Sequence, residues 1–367
     1  MKKAIIIITI FVVGAGAAWF FVNDEESIII PSTNVDERFG FLIGPSSKEI
    51  QEVRDIGAGW IRPHPGPFIW GSMQNGSGDG YNFKESDEIV KDAEKYSVRV
   101  LATLWPYADW DQVRHSSDKV CKIKGDEFSR EFGNFRCNPY EWKAYKGWVS
   151  AVVERYDGDG VNDMPGLLSP ITHWEVFNEP DLSYNQQFED FGLKFYTEGP
   201  AEYVELLKYT HEAIVAADPN AIVLIAGAAS GEDMHLSFYE EVFADESVSD
   251  YFDIANIHCI SSGDIGSFNV EPYKQLLSQF GISKPIWVTE AEALVGSDSA
   301  KNATQIKLST EKALELGAEK IFFVSRDINN SPGGDKHFDN KEKVEIKIDP
   351  TLKGSSKEIY QTIFESL

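Results

Sequence analysis

Between residues 39 and 365 the chain alternates short apolar stretches with helix-like ones eight times, a rhythm that few architectures accommodate. The apolar stretches are 39–43, 59–64, 98–105, 171–177, 221–226, 252–259, 284–290 and 320–324. They are rich in β-branched and aromatic residues and almost continuously apolar, as strands covered on both faces are. The helix-like stretches are 46–56, 85–96, 140–156, 201–217, 236–243, 271–280, 300–316 and a closing 355–365. Several stop at a glycine, as at Gly57, Gly281 and Gly317, and one carries Trp142, Tyr145, Val149 and Val152 at helical spacing. Eight such units predict one α/β domain over residues 37–367, a (β/α)8 barrel of the TIM type. The rival, a doubly wound open sheet, lacks its G-x-G-x-x-G after the first strand.

In such a barrel the C-terminal strand ends share one rim, where catalytic groups gather. The fourth strand runs into Asn178-Glu179-Pro180-Asp181, and Pro180 cannot continue a sheet ladder. The seventh ends in Thr289-Glu290. Glu179 and Glu290 are therefore predicted to face each other across the mouth. Two converging carboxylates, one protonated and one ionised, are the equipment for hydrolysing a glycosidic bond, and a separation of about 5–5.5 Å gives retention of configuration.

Trp-Glu-Val-Phe-Asn-Glu-Pro-Asp at 174–181 and Pro-Ile-Trp-Val-Thr-Glu at 285–290 resemble the fourth- and seventh-strand signatures of clan A of the glycoside hydrolases, retaining (β/α)8 enzymes that include families 5 and 39. The resemblance implies Glu179 as acid/base and Glu290 as nucleophile. It further implies that Arg62 keeps the nucleophile ionised, that Asn178 bonds the sugar 2-hydroxyl, and that His258 lies beside the catalytic pair. His64, Trp105 and Trp110, at the second strand's end and on rim loops with Trp70 and Tyr107, are candidates for substrate contact or support. The chain departs from the clan at two points. Glu292 follows the nucleophile at a spacing that makes it a rival for that role, and the eighth strand has no platform tryptophan, leaving Arg326 and Asp327 as polar replacements.

The net charge of −25 excludes polyanions, nucleic acid or anionic lipid, as the main partner and suits a neutral oligo- or polysaccharide. Nine tryptophans offer faces on which sugar rings stack. No cofactor or metal is expected: the seven histidines show no H-x-H or H-E-x-x-H, and no phosphate loop or G-x-S-x-G elbow occurs. Lys2 and Lys3 precede an apolar run to Val22, so residues 1–22 read as a cleaved signal peptide or an uncleaved signal anchor, with a linker over 23–36. Either places the catalytic body outside the cytoplasm, secreted or anchored to the outer face of the cytoplasmic membrane, with membrane contact only through that segment. Cys121 and Cys137 flank a charged segment that a disulfide could close there, and Cys259 reads as a buried thiol. Asn75-Gly76-Ser77 and Asn302-Ala303-Thr304 match the glycosylation acceptor pattern. The alternative to an enzyme is a barrel of the same scaffold that binds carbohydrate, or a cell-surface partner, without turnover.

Overall fold

The computed structural model describes residues 35–115, 121–125, 129–184, 194–260, 267–292, 298–328 and 346–367. The signal or anchor segment 1–22 and nearly all of the linker 23–36 lie outside the described residues, and no described helix is long and apolar enough to cross a membrane.

Among the described residues, eight strands alternate with eight principal helices. They are β1 Asp36–Ile43, α1 Ser47–Ile56, β2 Ala58–Pro63, α2 Lys84–Tyr96, β3 Arg99–Leu104, α3 Trp142–Tyr156, β4 His173–Val176 and α4 Pro200–Ala217. The second half continues with β5 Ile222–Ile225, α5 Asp233–Phe243, β6 Ala255–Ile260, α6 Val270–Gln279, β7 Ile286–Glu292, α7 Ser299–Leu316, β8 Ala318–Phe323 and α8 Ser356–Ser366. Every pairing between these strands is parallel, in the order β5-β4-β3-β2-β1-β8-β7-β6. Parallel bridges Leu224↔Ile254 and Ala228↔Ile257 join β5 and its following residues to β6 and the residue before it, bringing the two ends of the sheet together.

The strands match the expected stretches with trimmed ends. β4 stops at Val176 because Phe177 takes φ 77°, which a sheet ladder cannot use. β7 runs two residues past Glu290, to Glu292. Short helical turns at Trp70–Met73, Asp109–Gln112 and Ser129–Phe132 fill the long loops after β2 and β3, where no helix is foreseen from sequence.

Side-chain alternation stacks the interior in layers. At the bottom, Leu42, Trp60, Leu101, Leu224, Ile254, Trp287 and Phe322 form an apolar plug. Gly40 is obligatory there, since a Cβ would run into the Phe322 ring. Above the plug the inward positions turn polar: Arg62, Thr103, Glu175, Asn256 and Thr289, all buried. Burying so many polar groups is tolerable only if they satisfy one another. They do, and the mouth is built upon them.

Cys121 and Cys137 are joined, with Cα atoms 5.0 Å apart, and Cys259 is a buried free thiol. The two acceptor sequons differ: Asn75 is exposed, whereas Asn302 is buried in α7 with Nδ2 donating to the Ile328 carbonyl.

Candidate active site

Glu175 anchors the site from below. Its Oε2 accepts from Arg62 Nε at 2.8 Å and from the Thr103 hydroxyl, and its Oε1 accepts from Asn256 Nδ2 at 2.6 Å and Thr289 Oγ1 at 3.2 Å. Arg62 is thereby aimed upward. Its Nη1 donates to Glu290 Oε1 and its Nη2 to Asn178 Oδ1, each at 2.6 Å, so one fully buried guanidinium ties β2, β4 and β7 together.

Two backbone irregularities present the carboxylates. Phe177 (φ 77°) and Glu179 (φ 44°) flank Asn178 in the left-handed region, at about 1–3 kcal/mol each. They are held there by Phe177 N–H donating to Leu104 O at 3.1 Å and Glu179 N–H to Gly227 O at 3.2 Å. On β7 the register against β6 skips Thr289: Ile257 pairs with Val288 and His258 with Glu290. This bulge lets consecutive residues both contact the interior, Thr289 reaching the buried layer and Glu290 reaching Arg62.

His258 lies between the two glutamates, with Nδ1 2.8 Å from Glu179 Oε1 and 3.8 Å from Glu290 Oε1. One oxygen of each glutamate and the imidazole nitrogen all lie within 4.8 Å of one another. Such a set could hold a cation, but Arg62 already stands against Glu290 as the local positive charge. Asp157, Asp159 and Asp163 also cluster, in the loop between α3 and β4 at the opposite end of the barrel.

The two carboxyls differ electrostatically. Burial, then the nearby Asp181 charge, push Glu179 up to about 8. Burial also raises Glu290, but the Arg62 guanidinium pulls it back, and only Glu290 receives the direct guanidinium bond. Burial lowers His258, and it lowers His64 further with help from Arg62, so both imidazoles are neutral near pH 7. His235 on α5 is the opposite case: against burial, Asp181 at 2.8 Å holds it above its ordinary value.

Of the residues singled out in the sequence, Glu179, Glu290, Arg62, Asn178 and His258 converge. His64 joins them, its Nδ1 3.5 Å from Arg62 Nη1 and 3.8 Å from Glu290 Oε1. Glu292 stays apart. It is buried close to Tyr360 of α8, whose phenol is raised by burial and then by the Glu292 charge, and Arg62 reaches Glu290 instead. Arg326 also stays apart, held by Glu49 at 3.0 Å, Glu52 at 3.3 Å and the Leu42 carbonyl at 2.8 Å. Trp70, Trp105 and Tyr107 are fully buried; Trp105 packs beside His64 and donates to Pro65 O. Trp110, partly buried, lies edge-on to Trp70 and donates to Gln74 O. Sequence reasoning overlooks Glu175, Thr103, Asn256, Thr289, Asp181 and His235. A charged residue in the middle of an apolar strand, as Glu175 is, was the available signal.

No family model and no curated sequence matches the chain. Its backbone matches solved structures. A glucosidase from Croceicoccus marinus superposes with a TM-score of 0.60 at 14% identity, covering 91% of this chain and 68% of that one. The chain has the barrel fold of glycoside hydrolases. A family 39 glycoside hydrolase from the gut symbiont Bacteroides cellulosilyticus gives 0.54 at 15% identity over 82% of this chain, which spans only 58% of that protein. An endo-beta-1,4-mannanase from Thermotoga petrophila gives 0.51 at 14% over 92% and 77%. In this barrel fold the described site lies at the C-terminal strand ends, where α/β barrels carry their chemistry.

Proposed function

We propose that the protein is a retaining glycosidase that cleaves O-glycosidic bonds, of β configuration, in an oligo- or polysaccharide. The observation that carries this reading is the pair Glu179 and Glu290: carboxyl oxygens within 4.8 Å, one group raised to about 8 and the other bonded to a buried arginine. That spacing is closer to the about 5–5.5 Å of retaining pairs than to the about 6.5–9.5 Å of inverting ones, and it suits direct attack on the anomeric carbon. Glu290 attacks while Glu179 gives its proton to the leaving oxygen; Glu179 then takes a proton from the water that displaces Glu290. The fold likeness to a glucosidase, a mannanase and a family 39 hydrolase supports carbohydrate as the substrate. The disulfide Cys121–Cys137 supports an oxidising location outside the cytoplasm.

A barrel of the same scaffold that binds carbohydrate or a cell-surface partner without turnover is the second reading, favoured by the departures from the clan pattern at Ala291-Glu292-Ala293 after Glu290 and on β8, which carries no tryptophan. One experiment separates the two. Glu290→Ala should abolish hydrolysis of an activated aryl β-glycoside, and azide should restore turnover as a glycosyl azide of inverted configuration. Undiminished hydrolysis in that variant rejects the assignment of Glu290, and absence of turnover by the unmodified chain across a panel of aryl glycosides and polysaccharides favours the binder.

A further inference from the structure

We propose that Glu175, Asn256 and Thr289 form a one-way hydrogen-bond relay that fixes His258 as the tautomer protonated at Nε2, so that its Nδ1 accepts from, and holds the proton on, Glu179. The kinetic consequence rests on the glycosidase reading; the relay itself is a property of the free protein.

The direction follows from counting protons. Arg62 is a permanent cation with no exposure, and Glu175 is one of the two anions that balance it. Asn256 presents an amide nitrogen to Glu175 Oε1 at 2.6 Å, because an amide oxygen there would oppose a carboxylate oxygen. Its Oδ1 is then the atom 2.8 Å from Thr289 Oγ1. Thr289 has one hydroxyl proton, and both Asn256 Oδ1 and Glu175 Oε1 are acceptors, so that proton points down the relay. Toward His258 Nε2, 2.9 Å away, Thr289 has only lone pairs left, and the nitrogen must bring the hydrogen. A neutral imidazole has one N–H, so Nδ1 is bare, and the group 2.8 Å from it, Glu179 Oε1, carries a proton.

The shifted arrangement, an imidazolium beside an ionised Glu179, is opposed first by burial, the largest influence on both groups. It would also set a second buried cation against Arg62 and next to His64, and a new anion beside Asp181 and Glu175. Glu290, Glu175 and Asp181 favour the imidazolium, and His235 on α5 and Arg62 favour the anion, but burial outweighs them and leaves His258 below and Glu179 above its ordinary value. The ring has little freedom to evade this. A Cβ on Gly227 would overlap the His258 imidazole, and the same glycine's carbonyl receives the Glu179 N–H, so both partners are seated on one backbone segment after β5. His258 is thus a positioning residue for the proton donor. When Glu179 delivers its proton it becomes a carboxylate facing a lone pair, an unfavourable state that makes it a ready acceptor for the proton of the incoming water.

The test uses the full chain labelled with 15N-histidine, the His258 signals being assigned by their loss in His258→Asn. At pH 7 the unmodified protein should show His258 protonated at Nε2 and bare at Nδ1. Thr289→Val keeps the shape and removes the hydroxyl. It should move the proton to Nδ1, and the alkaline limb of kcat/KM should fall by about one pH unit or more, as the donor becomes easier to ionise. Thr289→Ser should restore both. Finding the Nδ1–H tautomer in the unmodified protein overturns the proposal, and that single measurement decides should the valine variant fail to fold. An unchanged tautomer and alkaline limb in a folded Thr289→Val also overturns it. The expected tautomers in a protein without glycosidase activity would reject the function and leave the relay standing.

Discussion

Arg62 donates to Glu290 Oε1 across 2.6 Å with the arginine side chain at 0% exposure and the glutamate at 6%. Because the same guanidinium also neutralises Glu175, its removal strands two anions in the barrel. Arg62→Met should therefore destabilise the fold by about 3–5 kcal/mol, the cost of breaking a buried pair from one side. In whatever fraction folds, Glu290 loses a charge that holds its pKa down, so the acid limb of kcat/KM should move to higher pH. Urea unfolding and a pH–rate profile measure the two effects. An unshifted acid limb in a folded variant removes Arg62 from its role.

On the proposed function, the pH dependence of the unmodified protein follows from the two carboxyls. Glu179 must be protonated to act as acid, and it loses its proton around pH 8, so kcat/KM should decline above that value. Glu290 must be ionised, and burial holds it above the ordinary carboxylate range, so activity should fade on the acid side sooner than a solvent-exposed glutamate would dictate. The expected profile is a bell. A plateau extending well above pH 9 would show that Glu179 is not the donor.

The architecture and the two glutamates are legible in the sequence because they rest on periodicity and on strand ends, which are local properties. Glu175 shows the limit. Its neighbours Trp174 and Val176 read as plain strand, and what makes it an anchor is four donors from β2, β3, β6 and β7, which no local pattern reveals. Thr289 is hidden for a different reason: strict alternation would turn it away from the side that Glu290 faces, and only the register skip on β7 allows both inward. The rim tryptophans are misleading in the opposite sense, since Trp105 closes the third strand stretch and Trp70 lies in the loop after the second, at the rim, yet both are entirely covered, by Phe132, Phe177, Phe195, Tyr145 and Trp110 among others.

Arg326 follows β8, where a sugar platform is expected, but its guanidinium is committed to α1. Arg326→Ala should leave KM within about twofold, and should lower stability by about 1 kcal/mol for the half-buried ion pairs and the bond to the Leu42 carbonyl. Steady-state kinetics and thermal unfolding separate these. A tenfold rise in KM would return Arg326 to the substrate.

Glu179 also links activity to stability. Its pKa rises from 4.5, the ordinary value of a free glutamate side chain, to about 8 in the fold, so the native state holds a proton that the unfolded chain releases. Stability from this proton is fully present below about pH 4.5 and is lost as pH rises through about 8, where the buried carboxyl is forced to ionise. Glu179→Gln keeps a donor toward His258 Nδ1 and has no proton to lose. Its melting temperature should therefore match that of the unmodified protein near pH 4.5 and exceed it increasingly toward pH 8, the stability difference there being on the order of a few kcal/mol at most. Paired thermal melts across that range are the measurement. Parallel curves would mean that Glu179 ionises at the same pH in both states, and with that the proton donor of the site would have to be sought elsewhere.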